Sequence, residues 1–137
     1  MYQKILVPID LRHVDQLDKA LRTAADLSNH YAAPVCYTSV TTSAPSDVAH
    51  TPQEFASKLE AFAQSQADAF GVQASAHAMT SHDPTVDLNA TLTKAIAEVG
   101  ADLVVMATHV PNVTDYLWSS HGGGIASHTA VSVFLVR

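Results

Sequence analysis

Residues that could bind an anion flank a polar loop in the last third of the chain. Thr108 and His109 follow the apolar run LVVMA, and Ser119-Ser120-His121 precedes three glycines. A loop between a buried strand and a helix start presents backbone N–H groups without partners, and the helix dipole there favours negative charge. The order of strand, polar loop and small-residue segment therefore predicts a phosphate or nucleotide site.

The segment Ser119-Ser120-His121 also raises the question of nucleophilic catalysis, because a serine needs a neighbouring base to be activated. Sequence neighbours at a helix start rarely point at each other, and the chain has no G-x-S-x-G motif. We therefore interpret these residues as helix caps or phosphate contacts.

Two neighbouring features leave alternatives open. Gly122–Gly124 lies inside an expected helix, which indicates either close packing of that helix on the sheet or a poorly stable helix. Tyr116, Leu117 and Trp118 form an apolar cluster, which is either an exposed interface patch or part of the core beneath the loop.

The chain contains eight histidines, and several fall on predicted loops. With Asp10 and Asp83 they could form a zinc-type site, since imidazole and carboxylate groups suit such ions. No pair has the spacing of a known ligand motif, so we predict scattered surface histidines and no metal site. His109 is the best candidate for a phosphate contact. The loop histidines are His13, His82, His109 and His121.

Length and charge limit the class of protein. A chain of 137 residues is most simply one domain, 1–137, and its net charge of −6 argues against nucleic acid or anionic membrane as partners. No apolar run approaches the roughly 20 residues that span a bilayer, and the N-terminus lacks a signal-peptide pattern. Cys36 is expected to be a core hydrophobe. We therefore expect a cytoplasmic protein.

Hydrophobic periodicity divides the chain into alternating strands and helices. Strands are predicted at 4–9, 34–40, 72–79, 103–107 and 132–136, and helices at 14–30, 52–70, 84–99 and about 119–127. For the second helix, Thr51 is the expected cap, Pro52 the first residue, Glu54 the partner in a capping box and Gly71 the end.

This alternation predicts a doubly wound parallel sheet of five strands with helices on both faces. In such sheets ligands bind at the carboxyl ends of the strands, where the strand order reverses. If the first and fourth strands straddle that point, residues 8–10 and 107–110 face one cleft.

Both ends of the chain carry motifs of a known family. The opening KILVPID is similar to the first strand of universal stress proteins, and VVMATHVPNVTDYLWSSHGGGIASHTAVSVFLVR resembles the pattern VxxASHRPxITxYLLGSxAxxVxRHAxCSVLVVR of a short-chain branch. The resemblance implies a small cytoplasmic Rossmann-like protein of the adenine nucleotide alpha hydrolase-like type, with strand order 3-2-1-4-5. It also implies a homodimer formed through the C-terminal strand, or a tetramer.

The resemblance also implies site residues. The ends of the first two strands would contact adenine and ribose, and a pattern of glycines would hold the phosphates. In this chain that pattern aligns with Ala107, Val110 and Ser119-Ser120, with one residue fewer in the loop. The predicted cofactor-binding residues are Pro8, Ile9, Asp10, Val40, Met106, Ala107, Thr108, His109, Val110, Ser119, Ser120 and His121.

All three glycines of the pattern are absent here, and no Lys or Arg lies between Lys94 and Arg137. Glycine lets a backbone approach a phosphate closely, whereas β-branched Val110 should point away from a ligand. Phosphates in this loop would depend on N–H groups, hydroxyls, histidines and a divalent cation.

The function implied is that of a stress-response sensor or regulator that binds ATP, or else AMP or ADP, with or without Mg²⁺. Two alternatives remain. The fold could have lost the nucleotide and act through its dimer surface, or it could be a weak ATPase. For an ATPase, only Asp10 or His109 offers a general base.

Overall fold

The computed structural model describes residues 1–110, 113, 115–119 and 121–137. Strands and helices alternate along these residues. They are β1 (Ile5–Pro8), a 3₁₀ helix (Leu11–Gln16), α1 (Asp18–Tyr31), β2 (Val35–Thr41), α2 (Pro52–Phe70), β3 (Ala74–Thr80), α3 (Pro84–Val99), β4 (Leu103–Ala107), α4 (Gly122–His128) and β5 (Ser132–Val136). No helix within these ranges has the length and apolar character needed to cross a membrane.

The strands form one parallel sheet in the order β3-β2-β1-β4-β5, which confirms the predicted fold. Every residue of β1 and β4 is buried, as expected for central strands that are covered on both faces. Right-handed crossovers place α1 and α2 on one face and α3 and α4 on the other. The core therefore lies on both sides of the central strands.

The strand order reverses between β1 and β4, where a crevice is expected. These two strands pair through Ile5 with Leu103 and Leu6 with Val104, whereas β1 pairs with β2 as far as Pro8. The carboxyl ends of β1 and β4 therefore do not pair with each other, and other parts of the chain can contact them.

The start of α2 follows its capping residues. Thr51 Oγ1 accepts a hydrogen bond from the Glu54 N–H at 3.1 Å, Pro52 is the first helical residue, and Gly71 ends the helix with φ 65°. The Glu54 carboxylate accepts from the N–H of His50 at 3.1 Å. The reciprocal bond of the expected capping box is thus made one residue earlier than predicted.

Two helix starts differ from the prediction. The first helix, expected from residue 14, is preceded by the 3₁₀ helix because Asp10 caps that turn by accepting a bond from the Arg12 N–H. The last helix begins at Gly122 rather than at residue 119. Residues 117–119 form a turn instead, since the Trp118 side chain there is completely buried.

Candidate functional site

Asp10 lies two residues after the end of β1, and its carboxylate is hydrogen-bonded on both oxygens. Oδ1 accepts from the N–H and the Nε of Arg12, each at 3.1 Å, and Oδ2 accepts from Arg12 Nη2 at 2.9 Å and the Leu117 N–H at 3.0 Å. Burial raises the pKa of Asp10, but these bonds and the Arg12 charge outweigh it, so the pKa lies below its ordinary value. Asp10 is therefore ionised at neutral pH and is a poor base.

Arg12 joins the end of β1 to the loop after β4. Its Nη1 donates to Asp115 Oδ2 at 3.2 Å and its Nη2 donates to the Asp115 carbonyl at 2.7 Å. His13 Nε2 lies 3.0 Å from Asp115 Oδ1, an ion-pair distance, although the N–H is not aligned for a hydrogen bond. These contacts hold together two segments that lie 103 positions apart in the sequence.

A cavity of about 240 Å³, the inner cavity, opens at the carboxyl ends of β1 and β2. Asp10 and Val40 line it, and both were predicted to contact a nucleotide. The rest of its wall is mixed in polarity and comes from β2, the loop after it, α2, α3 and the loop after β4. It includes Ser39, Thr41, Thr42, Phe55, Pro84 and Leu117.

A larger cavity of about 570 Å³, the outer cavity, adjoins the inner one. The two share Leu11, Arg12 and Val48 in their walls. The remaining residues of the outer cavity are polar or charged. They are His13, Asp47, Lys58 and Asp115. An apolar and hydroxyl-rich cleft thus continues into a charged one, with Arg12 on the wall between them.

The other two residues predicted on the first strand lie outside both cavities. Pro8 belongs to β1, and Ile9 is buried beyond it. The Ile9 carbonyl accepts hydrogen bonds from Ser39 Oγ at 2.7 Å and from Trp118 Nε1 at 2.9 Å. Neither residue lines a cavity, and their contact with a nucleotide stays a prediction.

The described residues of the predicted phosphate region line neither cavity. They are Met106, Ala107, Thr108, His109, Val110, Ser119 and His121. Met106, Ala107 and Val110 are buried in the core, whereas His109 is exposed. The Thr108 N–H donates to the Val136 carbonyl at 3.2 Å. Ser120 was also predicted here, and it lies outside the described residues.

The aromatic cluster beside the loop is core. Trp118 is fully buried and Tyr116 is nearly so, which excludes an exposed patch at these two side chains. Burial and then the nearby Asp10 charge raise the pKa of the Tyr116 phenol well above its ordinary value. Tyr116 and Trp118 therefore fill space beside Asp10 with apolar rings.

His121 and Gly122 connect the start of α4 to its neighbours. His121 Nδ1 lies 2.8 Å from Asn89 Oδ1 of α3, and burial lowers the pKa of His121. A Cβ on Gly122 would lie 2.4 Å from Leu135 Cδ2 and 2.6 Å from Thr108 Cγ2. Close packing is thus the reason for glycine at position 122, whereas a Cβ on Gly123 would meet open space.

Four charged residues of the site were not found from the sequence, namely Arg12, Asp47, Lys58 and Asp115. Arg12 stands two positions after Asp10, which is a local signal that could have been used. Lys58 and Asp115 reach the outer cavity only through the tertiary fold, so no sequence pattern indicates them. In the part of the chain that the structure describes, no three His, Cys, Asp or Glu side chains are grouped as a metal site.

The model of the universal stress protein family matches residues 1–137. A comparison with curated proteins gives no significant match.

Solved structures share the fold over nearly the whole chain. A protein of the universal stress protein family from Burkholderia pseudomallei is 21% identical with a TM-score of 0.71, over 98% of this chain and 96% of that one. A universal stress protein from Archaeoglobus fulgidus in complex with dAMP is 17% identical with a TM-score of 0.69, over 99% and 98%. One from Arabidopsis thaliana with AMP bound is 16% identical with a TM-score of 0.59, over 98% and 90%.

Proposed function

Because the chain belongs to the universal stress protein family, we propose that it binds an adenine nucleotide and acts as a cytoplasmic sensor or regulator. The observation that carries this proposal is the inner cavity, which lies at the carboxyl end of the sheet beside Asp10 and Val40. Ligands of doubly wound sheets bind at this edge. The structures with dAMP and with AMP show that proteins of this fold can hold such ligands.

The dimensions of the site favour a nucleoside monophosphate over ATP. The inner cavity, about 240 Å³, is slightly smaller than the roughly 300 Å³ at which pockets for drug-sized ligands begin. Val40, Phe55 and Pro84 offer apolar contacts to a base, and Thr41 and Thr42 offer hydroxyl groups. The outer cavity adds room for a phosphate but is bordered by carboxylates as well as cations.

Asp10 is the residue that we expect to bind the ribose. Its existing hydrogen bonds limit how a ribose hydroxyl can reach the carboxylate. A carboxylate has about four lone-pair positions, and four N–H groups already occupy them. A ribose hydroxyl must therefore share or replace one of these donors. Hydrolysis is not proposed, because the lowered pKa makes Asp10 a weak base and exposed His109 lies outside both cavities.

Isothermal titration calorimetry with adenosine, AMP and ATP, with and without Mg²⁺, tests the proposal. AMP is expected to bind, and Thr42→Trp should weaken its affinity about tenfold or more because an indole fills part of the inner cavity. Thr93→Trp on the exposed face of α3 is the matched control and should leave binding unchanged. Absence of heat for all ligands at millimolar concentration contradicts nucleotide binding.

The second part of the proposal is that the chain forms a homodimer through β5. The same dimer surface is what the alternative function, that of an interaction protein, would use. β5 is the last strand of the sheet, and it pairs with β4 along one edge. Phe134 and Leu135 on this strand are 46% and 39% exposed, so two neighbouring large apolar side chains lie at this edge of the sheet. Pairing with a second β5 would cover both the strand edge and these side chains.

A further inference from the structure

The carboxylate of Asp115 lies between two nitrogen-bearing side chains that come from one short segment. Arg12 Nη1 donates to Oδ2 at 3.2 Å, and His13 Nε2 lies 3.0 Å from Oδ1. Arg12 and His13 belong to the 3₁₀ helix after β1, whereas Asp115 belongs to the loop after β4. All three side chains line the outer cavity. Side chains of the 3₁₀ helix thus contact an anionic group, the Asp115 carboxylate of the same chain.

Asp115 is held in a way that permits its replacement. Its side chain is 63% exposed, and exposed ion pairs contribute little stability because water and salt screen them. Arg12, by contrast, is fixed on its other side, since its Nε and Nη2 both donate to the buried Asp10 carboxylate. A ligand anion could replace the Asp115 carboxylate while the guanidinium keeps its position.

We propose that Arg12 and His13 form a phosphate subsite, which Asp115 occupies in the ligand-free chain. This inference rests on the proposed function, because it assigns the position of the nucleotide's phosphate. A guanidinium binds phosphate and carboxylate through the same forked geometry. Since Arg12 lies on the wall shared by both cavities, a nucleoside in the inner cavity directs its phosphate past Arg12 into the outer one.

The charges around the outer cavity indicate a single phosphate group. Lys58 is its second permanent cation, with Nζ 3.4 Å from a Glu54 carboxylate oxygen and a hydrogen bond to the Val48 carbonyl. Asp47 and Asp115 line the same cavity and offset the two cations. One phosphate that displaces Asp115 takes over its contact with Arg12, whereas a triphosphate would bring more negative charge to the same two cations beside Asp47.

The ratio of AMP affinity to adenosine affinity, measured by calorimetry, tests the subsite. Asp115→Asn removes the competing charge and should raise this ratio roughly two- to fivefold, as expected for loss of an exposed ion pair. Arg12→Gln should lower it about tenfold or more, because a charge-assisted bond to the phosphate is lost. The matched controls Asp18→Asn and Arg22→Gln alter an exposed ion pair on α1 and should leave the ratio unchanged.

A second measurement does not need adenine binding. Sodium phosphate is titrated at constant pH while the His13 imidazole signals are followed by NMR, and Asp115→Asn should respond at lower concentration than the unchanged chain. An unaltered affinity ratio in Asp115→Asn, or His13 signals that do not move, overturns the subsite. If neither adenosine nor AMP binds while inorganic phosphate still shifts the His13 signals, the proposed nucleotide function fails and the subsite stands.

Discussion

Asp10 and Arg12 show how one side chain can make a buried charge tolerable. A carboxylate without partners is costly to bury, but Arg12 supplies three of the four N–H groups that surround Asp10. The fourth comes from Leu117, so the pair also orders the loop after β4. The same contact therefore contributes to both the stability of the fold and the shape of the cavity.

Replacing Asp10 by Asn should lower the free energy of unfolding by about 2 kcal/mol at neutral pH, because Arg12 then faces an uncharged amide. The folded-state pKa of Asp10 lies below its ordinary value of 3.8. Its stabilising contribution is therefore complete above about pH 5 and is lost as the pH falls through the folded-state pKa. Urea unfolding of Asp10→Asn and the unchanged chain at several pH values measures the difference in unfolding free energy. Asp26→Asn, at an exposed position, is the control. If the difference in unfolding free energy stays constant from pH 7 to pH 3, the lowered pKa of Asp10 is contradicted.

Single residues of the site were only partly predictable. Asp10 and Val40 were predicted from the resemblance to universal stress proteins, which assigns contacts to the ends of the first two strands, and both line the inner cavity. Asp115 could not be recognised, because its partners lie at the other end of the chain. The residues after β4 were assigned to phosphate contact from their alignment, yet the described ones line neither cavity. Their role in nucleotide binding stays a prediction.

Among the elements, α4 depends on a close approach to the sheet. Its first residue, Gly122, lies against Thr108 at the end of β4 and Leu135 on β5. Thr108 is β-branched and has little rotamer freedom, so it cannot easily make room for a larger residue. The start of α4 is thus fixed by packing and not by a capping side chain, since His121 makes no cap bond.

Gly122→Ala should destabilise the protein by about 1–2 kcal/mol, because the added methyl group overlaps two side chains. Gly123→Ala is the matched control one position later. It should be neutral or stabilise by up to about 1 kcal/mol, since its Cβ meets open space and alanine favours the helix. Thermal and urea unfolding of the two variants give the comparison. Equal effects would contradict the close approach at Gly122.

Elements were more predictable than residues because their signals are local. Thr51, Pro52 and Gly71 mark the ends of α2, and the structure confirms each of them. The predicted order of the strands is also confirmed. The starts of α1 and α4 were wrong, because they depend on Asp10 and on the burial of Trp118, which are tertiary effects.

For the whole molecule, the sheet offers different surfaces at its two edges. β3 lies at one edge and carries the small side chains of Ala74, Ala76 and Ala78. β5 lies at the other edge and exposes Phe134 and Leu135, which point to opposite faces of the sheet. The β5 edge has the larger apolar surface to bury, so it is the edge at which we expect two copies to meet.

Phe134→Glu should convert a dimer into a monomer, or weaken it about tenfold or more, because a charge would be buried in the contact. Val86→Glu is the matched control, since Val86 is also a large apolar residue and is 77% exposed on α3. Light scattering coupled to size exclusion, over a range of concentrations, distinguishes the two variants. An unchanged chain that stays monomeric, or a dimeric Phe134→Glu variant, contradicts pairing through β5.

Trp118 is the only tryptophan in the sequence, and its indole N–H donates to the carbonyl of Ile9 beside Asp10. The ultraviolet emission of the whole protein at tryptophan wavelengths therefore arises from one place, where the loop after β4 meets the end of β1. A neighbour of this indole, Leu117, lines the inner cavity and donates to Asp10. Trp118 fluorescence can therefore report on the inner cavity, because the preceding residue, Leu117, lies in its wall.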